Sequence, residues 1–113
     1  MSRPRHLFFY KDYFKSFYDG QESKVKNKIL WTFRVIEELN QIPETYFKYL
    51  KNSSGIYEIR VQVGNNIFRI FCFFDIDNLV VVGHGFQKKT QKTPKVEIER
   101  AEQIKKEYYD DKE

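Results

Sequence analysis

Between Ile56 and Phe86 the chain carries three runs rich in β-branched and aromatic residues, at 56–64, 67–75 and 79–86, separated by only a few residues each. Strands this close in sequence pair antiparallel, because a parallel pair needs a crossover of a dozen or more residues. The segment reads as a three-stranded meander, and the rest of the chain must cover it.

The covering elements are legible from their spacing. Leu7-Phe8-Phe9-Tyr10 reads as a first strand, and Phe14, Phe17 and Tyr18 mark one side of a short helix that stops at Asp19-Gly20. From Ser23 to Asn40, Val25, Ile29, Phe33 and Ile36 form one helical stripe, with Trp31, Val35 and Leu39 forming a second beside it. So wide an apolar arc touches two neighbours: the sheet and the first helix, which is the plainer reading, or the sheet and another protein chain. Pro43 ends this helix, and Tyr46 to Leu50 reads as an aromatic-rich connection. Thr93 as cap and Pro94 in the first turn open a last helix, with Ile98, Ala101, Ile104 and Tyr108 along one side and fraying expected over 106–113. The expectation is a single α+β domain over 1–113. Its small antiparallel sheet combines the N-terminal strand with the meander, and two N-terminal helices and one C-terminal helix flank it.

Composition narrows the classes further. A chain of 113 residues has room for one core. At 41% hydrophobic and 18% aromatic it is neither disordered nor low-complexity. No apolar run reaches the roughly 18 residues of a membrane span, and Met1-Ser2-Arg3-Pro4-Arg5-His6 leads into no signal-peptide core. With Cys72 the lone cysteine, the expected compartment is the cytoplasm and no membrane partner is expected. Residues 1–96 carry 16 Lys/Arg against 9 Asp/Glu, whereas residues 97–113 carry 4 against 7. A basic body with an acidic end suits a polyanion binder whose last element lies away from the ligand.

Strand alternation gathers the charges, since successive side chains point to opposite faces. Tyr57, Ile59, Val61 and Val63 share the core face with Phe68, Ile70, Cys72 and Phe74, if Asn65-Asn66 forms a two-residue turn. Arg69 then pairs with Gln62 and Arg60 with Phe71. An even connection over 75–78 adds Leu79, Val81 and Gly83 to the core face, and sets His84 opposite Arg69. In this reading the helices cover one face only. The other displays Arg60, Arg69 and His84 among Phe71, Phe73 and Phe86, followed by Lys88, Lys89 and Lys92. Cations interleaved with aromatics suit a stacked single-stranded nucleic acid, the rings taking bases and the cations phosphates.

Each of these residues has a plainer role as well. Arg60 and Arg69 taken singly are solvated or salt-bridged strand residues, with Glu58 the obvious partner, and the lysines are a solubilising run before a helix. His84, between Gly83 and Gly85, reads singly as a packed histidine beside a bend or bulge. It is their shared face that favours chemistry. With one cysteine and two histidines no metal constellation exists, and no cofactor motif is present, so a metal-independent mechanism is expected.

At Gly55-Ile56-Tyr57-Glu58-Ile59-Arg60, Phe68-Arg69-Ile70-Phe71-Cys72-Phe73-Phe74 and His84-Gly85-Phe86-Gln87-Lys88-Lys89-Thr90-Gln91-Lys92-Thr93-Pro94, the sequence resembles toxins of the RelE/ParE superfamily, most closely the HigB-like, phage-derived branch. The resemblance implies a RelE-like fold and a type II toxin neutralised by a cognate antitoxin, commonly of helix-turn-helix type. It also implies ribosome-dependent cleavage of mRNA, without metal, through attack of a ribose 2′-hydroxyl on the adjacent phosphate. The family's Tyr-Arg arginine maps to Arg69, its Glu-Leu-Arg arginine to Arg60, and its cation after the last strand to Lys88 or Lys89. His84 is the expected proton-transfer group, Phe71, Phe73, Phe86 and Lys92 the expected RNA contacts, and Trp31, Val35 and Leu39 the expected antitoxin face. The chain departs from the pattern at Thr93-Pro94-Lys95, where several RelE-type nucleases carry a tyrosine that stacks on RNA. ParE-like relatives that inhibit DNA gyrase, and inactive phage-derived nucleic-acid-binding or structural proteins, are the alternatives.

Overall fold

The computed structural model describes residues 3–112, so Glu113, part of the expected frayed tail, lies outside the described residues. Within them the chain runs β1 (His6–Phe9), α1 (Tyr13–Tyr18), α2 (Ser23–Glu38), β2 (Phe47–Tyr49), β3 (Ile56–Val63), β4 (Asn66–Asp75), β5 (Leu79–Lys88) and α3 (Lys95–Asp111). The strands form one sheet in the order β1-β5-β4-β3-β2. This is the expected α+β architecture, compatible with a RelE-like fold, with two additions. The sheet is mixed rather than wholly antiparallel, because β1 lies parallel to β5, Phe8 opposite Val81. The aromatic connection after Pro43 supplies a short fifth strand, Phe47 pairing with Ile59.

The meander forms as its composition dictates, but in a different register. The β3–β4 turn is Gly64-Asn65 rather than Asn65-Asn66, with Gly64 at φ +60°, the left-handed backbone that a primed hairpin turn requires and glycine supplies without steric cost. The pairing slides by two residues, so the faces are kept while Arg60 comes directly opposite Arg69. The β4–β5 connection is a single 3-10 turn, Ile76–Asn78, with Asp77 and Asn78 in the left-handed region that Asx residues tolerate. Three residues is an odd number, so Val80 and Val82, not Leu79 and Val81, join the α2 face. One extra residue at Gly83-His84, opposite Phe71, then restores the phase. This β-bulge sets Phe86 across from Arg69 and turns His84 to the same side.

Two cores result. On one face α1 and α2 bring Phe14, Ile29, Phe33 and Ile36 against Ile59, Val61, Ile70 and Val82. On the other, α3 brings Ala101, Ile104 and Tyr108 against Ile56, Phe71, Phe73 and Val81. The expectation of one bare face is thereby corrected. Near-continuous apolar runs such as Ile70–Phe74 and Val80–Val82 are what a sheet covered on both sides requires.

Helix ends are tied down by side chains. The Arg5 guanidinium donates to the carbonyls of Ile36, Leu39 and Asn40, the unpaired acceptors at the C-terminal end of α2, where a cation also favours the helix dipole. Helix α3 starts after Pro94, whose carbonyl accepts from Glu97 and Ile98 N–H; Thr93 does not cap it. The chain is helical through Asp111, over most of the stretch expected to fray. Tyr108 donates to Asp75 at 2.6 Å, Tyr109 to the Phe74 carbonyl at 3.0 Å and Tyr10 to Asp111, which anchors the last turns to the sheet.

Candidate functional site

Helix α3 crosses only part of its face. The uncovered end of that face carries Arg60 of β3, Arg69 of β4 and Lys88 of β5, brought together because 60 pairs with 69 and 67 with 88. Two arginines directly opposed across a ladder repel. Glu58, two residues before Arg60 and so on the same face, lies between them: its Oε2 is 3.1 Å from Arg69 Nε and 3.6 Å from Arg60 Nε.

This cluster is partly withdrawn from water. The side chains of Glu58 and Arg69 are 10% and 8% exposed and that of Arg60 29%. Arg69 Nη1 donates to the Phe68 carbonyl at 3.1 Å and Arg60 Nη1 to the Glu44 carbonyl at 3.3 Å. The Nε–H groups of both arginines are buried and lack a hydrogen-bond partner of acceptable geometry, although both sit at ion-pair distance from Glu58. Burial, then Arg60, pulls the Arg69 guanidinium below its ordinary value against the pull of Glu58. Burial likewise lowers the Lys88 ammonium, helped by Arg69 and Arg60. Three cations around one carboxylate leave a net positive centre with donors unspent, and such a centre attracts an anion. Lys89 and Lys92 stand exposed beyond it on the chain leading to α3.

The other expected site residues lie elsewhere. His84 is 1% exposed beneath α3, its Nε2 3.0 Å from Glu97 Oε1 and its ring stacked on Phe86. Burial and then Arg100 hold it below its ordinary value despite Glu97. The ring is therefore neutral at pH 7, with the Nε2–H assigned as donor to Glu97 and Nδ1 left without a partner. It faces the helix, not solvent, which corrects its expected position on an open surface beside Arg69. Phe71, Phe73 and Phe86 are 1%, 2% and 9% exposed in the second core beneath α3 and offer no open ring to a base. On α2, Trp31 and Leu39 stay exposed and Val35 is half-buried.

Glu58, which in the sequence reads as a salt-bridge partner, is the carboxylate that joins the two arginines. The signal was present in the alternation Glu58-Ile59-Arg60, which puts a carboxylate and a guanidinium on one face. Tyr46 reads in the sequence as part of a connection and carries no periodic signal. Among the described residues no group of three His, Cys, Asp or Glu side chains gathers to hold a metal ion, and no helix is long and apolar enough to cross a membrane.

A five-stranded sheet with two helices on one face, a third over part of the other, and paired arginines at the end that this third helix leaves is an α+β domain compatible with a RelE-like fold. Residues 16–106 match the family described as phage-derived Gp49-like proteins (DUF891), and the chain belongs to that family. The family is toxin-like and lies within the RelE/HigB-like toxin superfamily. No curated protein matches the chain.

Proposed function

We propose that this protein is the toxin of a type II toxin-antitoxin pair, of the HigB-like branch, and cleaves mRNA on the ribosome by metal-independent attack of a ribose 2′-hydroxyl on the adjacent phosphate. The observation that carries the reading is the Arg60–Glu58–Arg69 arrangement with Lys88 beside it. In the reaction a bond forms between O2′ and phosphorus while the bond from phosphorus to O5′ breaks. The 2′-hydroxyl proton needs an acceptor, the leaving O5′ needs a donor, and the phosphorane needs cations.

Glu58 is the acceptor, as the one carboxylate in contact with both arginines. Lys88 is the donor, since an ammonium pulled below its ordinary value releases a proton more readily. Arg69 and Arg60 hold the non-bridging oxygens, and Lys89 and Lys92 extend the path for the RNA backbone. His84 has a positioning role, holding α3 through Glu97. The partner is a cognate antitoxin of helix-turn-helix type. The α2 stripe of Trp31, Val35 and Leu39, with Trp31 and Leu39 each 44% exposed, is the surface assigned to it. Induction without antitoxin, followed by mapping of mRNA 5′ ends, tests the reading. New ends inside translated frames support it; growth arrest with intact transcripts and a gyrase-dependent DNA-damage response contradicts it.

A further inference from the structure

We infer that the notch at the open edge of β3 is a nucleobase pocket, in which Tyr46 stacks on a base while Arg60 and Arg69 hold its phosphate. The inference rests on the nucleic-acid reading of the cation cluster and deepens it.

The notch exists because β2 is short. Pairing with β3 ends at Phe47 opposite Ile59, and the last contact is Arg60 N–H donating to the Tyr46 carbonyl at 2.8 Å. Beyond that point the edge is open. The alternation that turns the Arg60 N–H outward turns the Gln62 backbone outward too, so an unpaired peptide donor and acceptor line the gap. The space is about 370 Å³, within the range of small-ligand sites, and its walls include Lys28, Thr45, Tyr46, Arg60, Gln62 and Arg69.

Two features separate this notch from a plain phosphate site. Its wall carries an aromatic ring held in place: Trp31 packs on Tyr46 with centroids 5.2 Å apart at 74°, and Lys28 Nζ lies 4.6 Å from the Trp31 ring and 6.0 Å from that of Tyr46. A braced ring beside cations is the arrangement by which single-stranded nucleic acid is stacked and held. The second feature is the pair of guanidinium groups that line the notch and share the single Glu58 carboxylate, which offsets only one of their two charges. A phosphate whose base lies on Tyr46 brings the second anion.

Trp31 is the only tryptophan, so its emission reports on the ring it braces. The purified full-length chain is titrated with the four nucleoside 3′-monophosphates and with ribose 5-phosphate. At least one nucleotide is expected to change Trp31 emission and to bind about tenfold more tightly than ribose 5-phosphate. Tyr46→Ala is expected to remove that preference and Tyr46→Phe to keep it, with circular dichroism confirming that both fold. Equal binding of all ligands by the wild type, or a preference that survives in Tyr46→Ala, overturns the base pocket. Arg69→Ala is expected to weaken every ligand; unchanged binding in that variant contradicts the cation-cluster reading instead, so the two failures are distinct.

Discussion

Arg60 and Arg69 stand directly across the β3–β4 ladder from one another, with the Glu58 carboxylate between their side chains. Two guanidinium groups in register would ordinarily be separated by selection for stability. Keeping them together costs repulsion and desolvation, only part of which one carboxylate offsets. The arrangement has a use if the remaining positive charge meets an anion.

Binding and chemistry should therefore separate by residue. Arg69→Ala removes a phosphate contact and relieves repulsion, so it should fold, fail to arrest growth and lose affinity for an uncleavable 2′-deoxy-substituted RNA. Glu58→Gln keeps the shape and removes the proton acceptor. It should bind that RNA as tightly or more tightly, yet cleave about 10²–10⁴-fold more slowly. Single-turnover cleavage and equilibrium binding measure the two; cleavage by Glu58→Gln within tenfold of wild type removes Glu58 from the chemistry.

His84 should behave as a structural residue. His84→Gln is expected to change cleavage less than tenfold while costing about 1–2 kcal/mol of stability at pH 7. Burial depresses its folded value below the ordinary 6.5, so the folded state binds fewer protons than the unfolded chain. Its contribution is complete above about pH 6.5 and is lost as pH falls from there through the depressed value. Denaturant melts between pH 7.5 and 5 should show a slope in the wild type that is smaller in His84→Gln; equal slopes contradict this assignment.

The anchor of α3 should fail at lower pH. Hydrogen bonds from Lys112 and then Tyr108 hold the Asp75 carboxyl down to about 2, against an ordinary 3.8. A depressed acid stabilises above its unfolded value and loses that contribution as pH falls from about 4 towards 2. Hydrogen exchange should report selective loss of protection in the last turns of α3 across that window, and Asp75→Asn should show the loss already at neutral pH. Retained protection at pH 2 would contradict the anchor.

The two glycines beside His84 should differ in tolerance. A Cβ on Gly85 would meet the Phe17 ring at 2.5 Å, whereas one on Gly83 would find Ile104 at 3.5 Å and the Phe71 carbonyl at 3.4 Å. Gly85→Ala should cost about 1–3 kcal/mol by displacing α1, and Gly83→Ala much less. Thermal melts of the two variants decide it; an equal cost would mean that α1 is not packed as described.

Element order, the meander and the facial grouping of Arg60 with Arg69 were legible in the sequence, because alternation with period two leaves little choice once one face is apolar. Register was not. Gly64-Asn65 and Asn65-Asn66 both make acceptable turns, and only packing selects between them. The odd connection at Ile76–Asn78 and the bulge at Gly83-His84 offset one another, so His84 reached the expected side of the sheet for a reason the pattern did not contain. Its burial is not legible because Phe71, Phe73 and Phe86 fit an open stacking surface and a second covering helix equally well in the sequence. Tyr46 escaped because a three-residue strand is too short to leave a periodic trace.

Whether RNA is cut at the Arg60–Glu58–Arg69 centre is decided by mapping mRNA 5′ ends after induction of the wild type and of Arg69→Ala. New ends within translated frames are expected for the wild type and none for the variant at equal protein level. Ends that persist in Arg69→Ala, or growth arrest by the wild type with transcripts intact, would contradict cleavage at that centre.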